Sequence, residues 1–365
     1  MERNNDSKMV KGLMERLNDG EHVIIAEGFV FYFERMGYLQ AGSWVPEVVL
    51  NHPDKVKSLY REFVDAGSDV VLAFTYYATR EKTRLIGKED TLEQLNKNAL
   101  KMAREVADEK GVLMAGNICN TNIYQPGKKD REDEIKGMFK EMIEWSVEAG
   151  ADFILAETYA HLGEALLAVE AIKEHGKGLP AVVTFAPFVT ATKNGKAITA
   201  DKVLLTEACK QVKEAGADVV GLNCGRGPNT MLPLMKDIMK VCPGPFAAIP
   251  VPYRTCDKEP TFFMLTDPVT GKKVFPTETE VCSCSREDFS DFGKQCKDLG
   301  IQFVGVCCGN RHYYTRSLAE ALGRKPASTT FSPDMTKHYV YGSDAKVRKD
   351  VSEESMDLYH TLRDI

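Results

Sequence analysis

The chain has 365 residues, 43% of them hydrophobic, which is enough to bury a large core as one big domain or two ordinary ones. A formal net charge of -6 with 27% charged residues gives no reason to expect nucleic acid or an anionic membrane as partner. The apolar runs are far shorter than the roughly 20 residues of a membrane helix, and the polar N-terminus lacks the apolar stretch of a secretory signal, so we expect a cytoplasmic protein.

A phrase that ends a helix and opens a strand recurs along the chain. It reads Asp65-Ala-Gly-Ser-Asp-Val-Val71, Glu148-Ala-Gly-Ala-Asp-Phe-Ile154, Glu214-Ala-Gly-Ala-Asp-Val-Val220 and, more loosely, Asp298-Leu-Gly-Ile-Gln-Phe-Val304. Each copy follows an amphipathic stretch and precedes an apolar run, so the glycine ends a helix and the chain enters a buried strand.

Short apolar runs bounded by such signals predict eight strands: Val23–Ala26, Val70–Thr75, Val112–Gly116, Phe153–Glu157, Ala181–Ala186, Val219–Asn223, Phe246–Pro250 and Phe303–Val306. Helical stretches lie between them, among others Pro53–Ala66, Leu92–Lys110, Glu132–Ala149, Gly163–Glu174, Asp201–Ala215, Met231–Val241 and Arg286–Leu299. Parallel strands that alternate with helices in this number predict an α/β fold, a (β/α)8 TIM barrel. A doubly wound open sheet is the alternative.

Two segments depart from this alternation. Residues 251–285, after the seventh strand, form a connection far longer than an ordinary βα loop, which is typical of a lid or a binding loop. Residues 326–365 form a C-terminal extension beyond the barrel of residues 1–325. The extension is either disordered or an oligomerisation arm, and its aromatic segment Lys337-His-Tyr-Val-Tyr341 favours the arm.

Three cysteines lie at predicted strand ends. Strand six ends in Asn223-Cys224-Gly225, and strand eight runs into Cys307-Cys308-Gly309. Strand ends meet at one face of a barrel, where active sites are built. Three thiolates leave one tetrahedral position open, as in catalytic rather than structural zinc sites. The alternative is three inert packing cysteines, and the rival ligands Cys256, Cys282 and Cys284 fall in the long loop.

A zinc ion held by three thiolates can take a fourth thiol and lower its pKa, so that the bound sulfur becomes a nucleophile. The partner of such a sulfur is an activated methyl group. Aromatic residues that could cage a cationic methyl donor lie at the same face: Phe29, Trp44, Tyr76, Tyr77 and Tyr159. Glu157 ends an apolar strand, where a carboxylate needs a cation such as a substrate amine, and an ion pair with an arginine is the alternative.

Several segments together resemble the homocysteine S-methyltransferase family, and within it the betaine-dependent enzymes. They are Gly28-Phe-Val-Phe31, Arg35-Met-Gly-Tyr38, Ala41-Gly-Ser-Trp44, Phe74-Thr-Tyr-Tyr-Ala78, Glu157, Gly221-Leu-Asn-Cys224 and Gly305-Val-Cys-Cys-Gly309. The similarity extends over about residues 10–325.

The resemblance implies a zinc barrel in which Cys224, Cys307 and Cys308 bind the metal and homocysteine sulfur completes the site. It also implies that Glu157 holds the homocysteine amine and that the C-terminal extension helps to build a homo-oligomer. The implied methyl-donor pocket is bordered by aromatic side chains: Phe29, Trp44, Tyr76 and Tyr77. The substrate-binding set predicted here adds Glu27, Gly28 and Tyr159, and the predicted catalytic residues are Tyr77 and Glu157.

The chain departs from the family pattern at two positions. It reads Ala26-Glu27-Gly28 where the family has an Asp-Gly pair, and Thr158 stands where betaine enzymes have a tyrosine. The leading hypothesis is methyl transfer from a betaine-like or sulfonium donor to homocysteine, giving methionine. The alternatives are a module that takes methyl from a corrinoid partner, and a barrel that binds zinc and thiols without catalysis.

Overall fold

Eight parallel strands close into a barrel in the computed structural model, which describes residues 10–187, 192–193, 196–331 and 333–363. The strands are β1 Val23–Ala26, β2 Val70–Leu72, β3 Leu113–Cys119, β4 Phe153–Tyr159, β5 Ala181–Phe185, β6 Val219–Asn223, β7 Phe246–Ile249 and β8 Phe303–Val306. Each strand pairs with its neighbours in the chain, and β8 returns to pair with β1. The predicted (β/α)8 barrel is confirmed, because closure rules out an open sheet.

Helices surround this barrel: α1 Leu13–Asn18, α2 Phe29–Arg35, α3 Val48–Asn51, α4 Pro53–Asp65, α5 Arg80–Leu85, α6 Leu92–Lys110, α7 Lys129–Glu148, α8 Leu162–His175, α9 Leu205–Ala215, α10 Pro228–Met239, α11 Arg286–Leu299 and α12 His312–Ala321. A short hairpin pairs Thr192–Lys193 with Lys196–Ala197. The sequence did not predict α2, whose apolar residues Phe29, Phe31 and Phe33 are all buried.

The aspartate of the recurring phrase forms a hydrogen bond with the strand before it. In each strict copy its carboxylate accepts a backbone N–H from the start of the preceding strand: Asp69 from Ile24 at 2.7 Å, Asp152 from Met114 at 2.7 Å and Asp218 from Ala181 at 2.8 Å. Strand starts in a barrel carry N–H groups that the ladder leaves free, and these must find a partner. The phrase therefore stabilises the face of the barrel at which the strands begin, opposite the face at which their carboxyl ends meet.

The long loop after β7 packs against α2. It contains two short 3-10 helices, Phe262–Met264 and Thr279–Cys282. Phe31 of α2 lies with its ring centroid 6.1 Å from that of Phe262. Arg35, also on α2, donates to the Tyr253 hydroxyl at 2.8 Å and to Thr279 Oγ1 at 2.6 Å. The loop is thus held by aromatic packing and by one half-buried arginine, and its role as a moving lid stays a prediction.

The chain divides into two compact units, the barrel ending at Ser328 and a second unit from Thr329 onward. Within its described residues, the second unit contains the helix α13 Lys349–Arg363. Its tyrosines Tyr339 and Tyr341 are 56% and 61% exposed. That it serves as an oligomerisation arm stays a prediction. None of the helices in the described ranges has the length and apolar character that crossing a bilayer requires.

Candidate metal and substrate site

The three predicted cysteines converge at the carboxyl end of the barrel. Cys224 follows β6, and Cys307 and Cys308 follow β8. Cys308 Sγ lies 3.6 Å from Cys224 Sγ and 3.9 Å from Cys307 Sγ, and all three sulfurs lie within 4.8 Å of one another. Cys224 adopts a φ of 55° and Gly309 a φ of 94°, so the backbone turns sharply beside the cluster.

The spacing and chemistry of these sulfurs suit a metal ion. Four ligands placed tetrahedrally at about 2.3 Å from an ion, the usual zinc–sulfur distance, lie about 3.8 Å apart. Hydrogen bonds from the Cys224 and Cys307 side chains lower the pKa of Cys308 well below its usual value, whereas burial raises the pKa of Cys307. A second and third thiolate at this distance need a cation between them, because like charges in a buried site repel strongly.

Two buried carboxylates lie beside the cysteines. Glu157 at the end of β4 and Glu27 directly after β1 are each 3% exposed. Each offers one oxygen to a group with Cys307 in which the three ligand atoms lie within 4.8 Å of one another. Burial and the neighbouring Glu157 charge raise the pKa of Glu27, and burial also raises that of Glu157. The pair therefore shares a proton or holds a cation such as an ammonium group.

Only one of these carboxylates is satisfied. Glu157 Oε1 accepts from Asn117 Nδ2 at 2.6 Å, and Oε2 accepts from Asn223 Nδ2 at 2.8 Å and Thr158 Oγ1 at 3.1 Å. Both oxygens of Glu27 are buried without a hydrogen-bond partner among the described residues. A buried, unpaired carboxylate is costly and calls for a missing partner. An ammonium donor from a substrate supplies one.

Asn223, for which the sequence analysis predicted no role, connects the cysteine cluster to the carboxylates. It directly precedes Cys224, and besides Glu157 its Nδ2 donates to Thr158 Oγ1 at 2.8 Å. Its Oδ1 accepts from Thr158 N–H and Thr184 Oγ1, both at 2.9 Å. The sequence did carry a signal for this role, namely an amide side chain at the end of an otherwise apolar strand. A buried amide must find several hydrogen-bond partners.

A cavity with about 360 Å³ of empty space, its mouth included, contains this site. Its lining combines the polar groups with apolar and aromatic ones: Glu27, Gly28, Phe29, Val30, Leu72, Ala73, Phe74, Tyr76, Glu157, Thr158, Cys307 and Cys308. Gly28 is required here, since a Cβ on it would lie 2.7 Å from the Cys307 carbonyl oxygen. A cavity of this size suits a small metabolite.

Two of the five predicted aromatic residues belong to the cavity lining, and Trp44, Tyr77 and Tyr159 do not. Phe29 and Tyr76 line the cavity, and Tyr77 lies against Tyr76 with ring centroids 4.3 Å apart. Trp44 packs on Phe31 at 5.2 Å. Tyr159 does not reach the cavity. It is fully buried and packs on Phe139 of α7 at 6.2 Å.

A break in strand register explains where Tyr159 lies. The pairing of β4 with β5 shifts between Ala156 and Tyr159, and Thr158 adopts a φ of 66°. Regular alternation would place Glu157 and Tyr159 on the same face. The shift lets Glu157 and Thr158 both line the cavity and turns Tyr159 toward α7. A β-branched residue at positive φ is unusual, and such strain concentrates at functional sites.

The rival cysteines of the long loop form no comparable group. Cys256 is exposed, Cys282 is half-buried and Cys284 is buried. Within the described ranges, the potential metal-ligand groups are the two that share Cys307. The structure therefore brings together Cys224, Cys307 and Cys308 and leaves the loop cysteines apart.

The chain is similar to known proteins over most of its length. The family model described as homocysteine S-methyltransferase matches residues 32–322. The chain is similar to betaine–homocysteine S-methyltransferase 1 of Xenopus tropicalis, 35% identical over 344 residues that cover 91% of this chain and 80% of the relative. It is also similar to the S-methylmethionine–homocysteine S-methyltransferase of Mus musculus, 32% identical over 346 residues that cover 91% and 86%.

Among solved structures, the metallated form of the homocysteine methyltransferase MmuM from Escherichia coli superposes with a TM-score of 0.63. The match covers 83% of this chain and 96% of that one at 15% sequence identity. At this identity the likeness bears on the fold, and it agrees with the closed barrel described above.

Proposed function

The chain belongs to the homocysteine S-methyltransferase family, and on that premise we propose that it moves a methyl group from a small onium donor to the sulfur of homocysteine, giving methionine. The observation that carries this proposal is the pair of ligand groups that share Cys307. One group is rich in sulfur and the other in carboxylate, with each group's ligand atoms within 4.8 Å of one another.

Homocysteine matches this pair of groups because it carries a thiol and an ammonium group a few bonds apart. Its sulfur would lie beside Cys224, Cys307 and Cys308. Its ammonium group would contact the carboxylates of Glu27 and Glu157. The ammonium would pair the two Glu27 oxygens that otherwise have no partner in the described structure. It would also offset the repulsion between two buried carboxylates.

The three cysteines would hold zinc, a metal that suits soft thiolate ligands with one position left open. When bound, zinc lowers the pKa of a coordinated thiol, so that the homocysteine sulfur is a thiolate at neutral pH. The cysteine backbone has little freedom, because Cys224 and Cys307 directly follow β6 and β8, each of which is paired with a neighbouring strand along both edges. Asn223, the residue directly before Cys224, restrains the cluster further because its side chain is hydrogen-bonded to Glu157.

Methyl transfer needs alignment and a good leaving atom rather than a protein base. The homocysteine thiol has lost its proton to solvent, and its sulfur forms a bond to the methyl carbon. The bond from that carbon to the donor's nitrogen or sulfur breaks, and its electron pair leaves with the donor atom as a neutral amine or thioether. Phe29 and Tyr76, which line the cavity, and Tyr77, whose ring lies against that of Tyr76, would hold the cation by attraction to their rings.

The sequence departures concern the donor. Relatives similar to this chain are named for betaine and for S-methylmethionine. Thr158 lines the cavity and hydrogen-bonds Glu157 at 3.1 Å, so the position that carries a tyrosine in betaine enzymes here supports the acceptor site instead. We therefore keep ammonium and sulfonium donors together in the proposal.

A donor panel tests the proposed function. Purified, zinc-loaded protein is incubated with homocysteine and, separately, glycine betaine, S-methylmethionine or dimethylsulfoniopropionate, with methionine as the readout. We expect methionine from at least one donor, and a Glu157→Gln variant to raise the homocysteine KM by about tenfold or more, the effect of about 1.4 kcal/mol. Glu164→Gln is the matched control, since Glu164 is a buried carboxylate bound to Thr121 outside the cavity lining. Absence of methionine from all three donors refutes the proposal.

A further inference from the structure

The long loop of residues 251–285 leaves the barrel between the two strands that carry the cysteines. It follows β7, which pairs with β6 on one side and with β8 on the other. The residues just before the loop already bind both cysteine segments. Cys224 N–H donates to the Ile249 carbonyl oxygen and Cys307 N–H donates to that of Pro250, each at 2.9 Å. The loop therefore starts between the two chain segments whose spacing sets the distances between the cysteine sulfurs.

The loop also contacts the turn that follows each cysteine segment. Phe262 N–H donates at 2.8 Å to the carbonyl oxygen of Gly225, the residue after the β6 cysteine. The Tyr253 hydroxyl lies against Gly309, the residue after the β8 cysteine pair. A Cβ on Gly309 would lie 2.2 Å from that hydroxyl oxygen. The glycine turn therefore cannot move toward the loop unless Tyr253 moves with it.

The two contacts belong to one packed unit. The rings of Tyr253 and Phe262 are stacked, with centroids 5.9 Å apart and an interplanar angle of 13°. Both side chains are buried. Protein interiors are packed as densely as organic crystals, so two stacked and buried rings transmit a displacement from one to the other. The stack therefore joins the turn after the β6 cysteine to the turn after the β8 cysteines.

The hydroxyl end of this stack is held by hydrogen bonds. Arg35 of α2 and Thr279 of the loop both donate to the Tyr253 hydroxyl, at 2.8 and 3.0 Å. Arg35 also donates to Thr279 Oγ1 at 2.6 Å, which closes a triangle of three hydrogen bonds. A buried polar network in which each member binds the other two holds its side chains rigidly. Arg35 thus fixes the Tyr253 hydroxyl where it meets Gly309.

We propose that the Tyr253–Phe262 stack is the spacer that sets the cysteine sulfurs at metal-binding distance, and that Arg35 acts through the Tyr253 hydroxyl. Tyr253 and Arg35 are positioning residues, since neither is among the residues that line the cavity. Ligands that are already in place bind a metal more tightly, because less chain freedom is lost on binding. The inference rests on the proposed function only for the three cysteines as metal ligands.

A competing interpretation makes the loop a cover that adds stability alone, and the chain offers a matched control for it. The Tyr314 hydroxyl, also on a buried ring, donates at 2.6 Å to the carbonyl oxygen of Cys284 near the other end of the loop. Tyr314→Phe therefore removes a loop hydrogen bond without altering the contact at Gly309. Tyr253→Phe removes the hydroxyl at Gly309 and leaves the ring to stack on Phe262.

Zinc affinity separates the two interpretations. It is measured by competition with a chelator of known affinity, and urea unfolding of the metal-free protein gives the stability. We expect Tyr253→Phe and Arg35→Met each to weaken zinc binding about tenfold or more, whereas Tyr314→Phe should lose stability and keep zinc affinity within about threefold of wild type. The double variant of Tyr253 and Arg35 should lose no more than the weaker-binding single variant, because the two residues act as one unit.

Cobalt(II) in place of zinc gives a second readout. Its visible spectrum reports the arrangement of the sulfur ligands, and it should shift in Tyr253→Phe but not in Tyr314→Phe. Equal zinc affinity in these two variants, additive losses in the double variant, an unshifted cobalt spectrum in Tyr253→Phe, or wild-type protein that binds no zinc would overturn the inference. Arg35→Met leaves the Tyr253 side chain in place, so it tests the same link independently.

Failure of the proposed function is a separate observation. It would show as an absence of methionine from homocysteine and every donor in wild-type protein that binds zinc. The metal affinities and cobalt spectra are measured without substrate, so they test the role of the loop whether or not methyl transfer occurs.

Discussion

Replacing Asn223 with alanine should damage both the stability of the barrel and the binding of homocysteine. The substitution removes the acceptor for Thr158 N–H and for Thr184 Oγ1, each now at 2.9 Å, and the donor to Glu157 at 2.8 Å. A buried donor left without a partner costs about 1–3 kcal/mol. Two such donors, at that cost each, predict a loss of about 2–6 kcal/mol in the free energy of unfolding.

Homocysteine binding should weaken for a different reason. Without Asn223, the Glu157 carboxylate keeps Asn117 and Thr158 as partners but loses the bond that ties it to the strand of Cys224. We expect the homocysteine KM to rise about tenfold, with a smaller change in the KM of the donor. Urea denaturation of the zinc-loaded protein gives the stability, and initial rates of methionine formation give the two KM values.

Asn96→Ala is the matched control. Asn96 is also buried, and its Nδ2 donates to Ala78 O and Leu92 O at 2.9 Å each, away from the cavity lining. It should lose stability without a change in the homocysteine KM. The reasoning is refuted if Asn223→Ala loses less than about 1 kcal/mol, or if its homocysteine KM matches that of Asn96→Ala.

Three further substitutions test separate parts of the structure. Cys307→Ala should abolish zinc binding, read as metal content per chain, whereas Cys296→Ala, at a fully buried cysteine of α11, should keep the metal; equal metal content in both contradicts the site. Glu27→Gln removes a buried carboxyl group that has no hydrogen-bond partner among the described residues and whose ionised form is costly, so the free energy of unfolding without substrate should rise while homocysteine affinity, measured by calorimetry, falls; unchanged affinity would exclude the ammonium contact. Asp152→Ala should lower the free energy of unfolding by about 1–3 kcal/mol, because it leaves the Met114 N–H without its acceptor. The KM values of homocysteine and of the donor should change little, since this hydrogen bond lies at the start of β3, away from the carboxyl ends of the strands. A change confined to the KM values would contradict that.

The barrel could be predicted because the residues that end its helices and begin its strands do so for physical reasons. Helices must end and strands must begin at defined points, and the recurring Ala-Gly-Ser/Ala-Asp phrase supplies a residue for each task. The structure adds what the aspartate does, which is to bind an N–H of the preceding strand. The cysteines were identifiable for a related reason. In parallel strands that close a barrel, residues at the strand ends necessarily lie at one face.

Side-chain direction at those ends was less predictable. The sequence placed Tyr159 with the cavity aromatics, but a register shift in β4 turns its ring toward Phe139. Such a shift depends on how β4 pairs with β5, and no local residue pattern announces it. The hydrogen bonds from Asn117 and Asn223 to Glu157 could not be predicted for the same reason, since these asparagines lie on different strands.

The role of Glu27 also required the structure. Its displacement from the family position was visible in the sequence, but its lack of partners depends on which donors reach it.

X-ray absorption of the zinc-loaded protein, recorded without and with homocysteine, tests the central claim most directly. We expect three sulfur ligands at about 2.3 Å in the free protein and a fourth sulfur at a similar distance after homocysteine is added. A metal already surrounded by four protein ligands, or a spectrum that homocysteine leaves unchanged, would contradict the account.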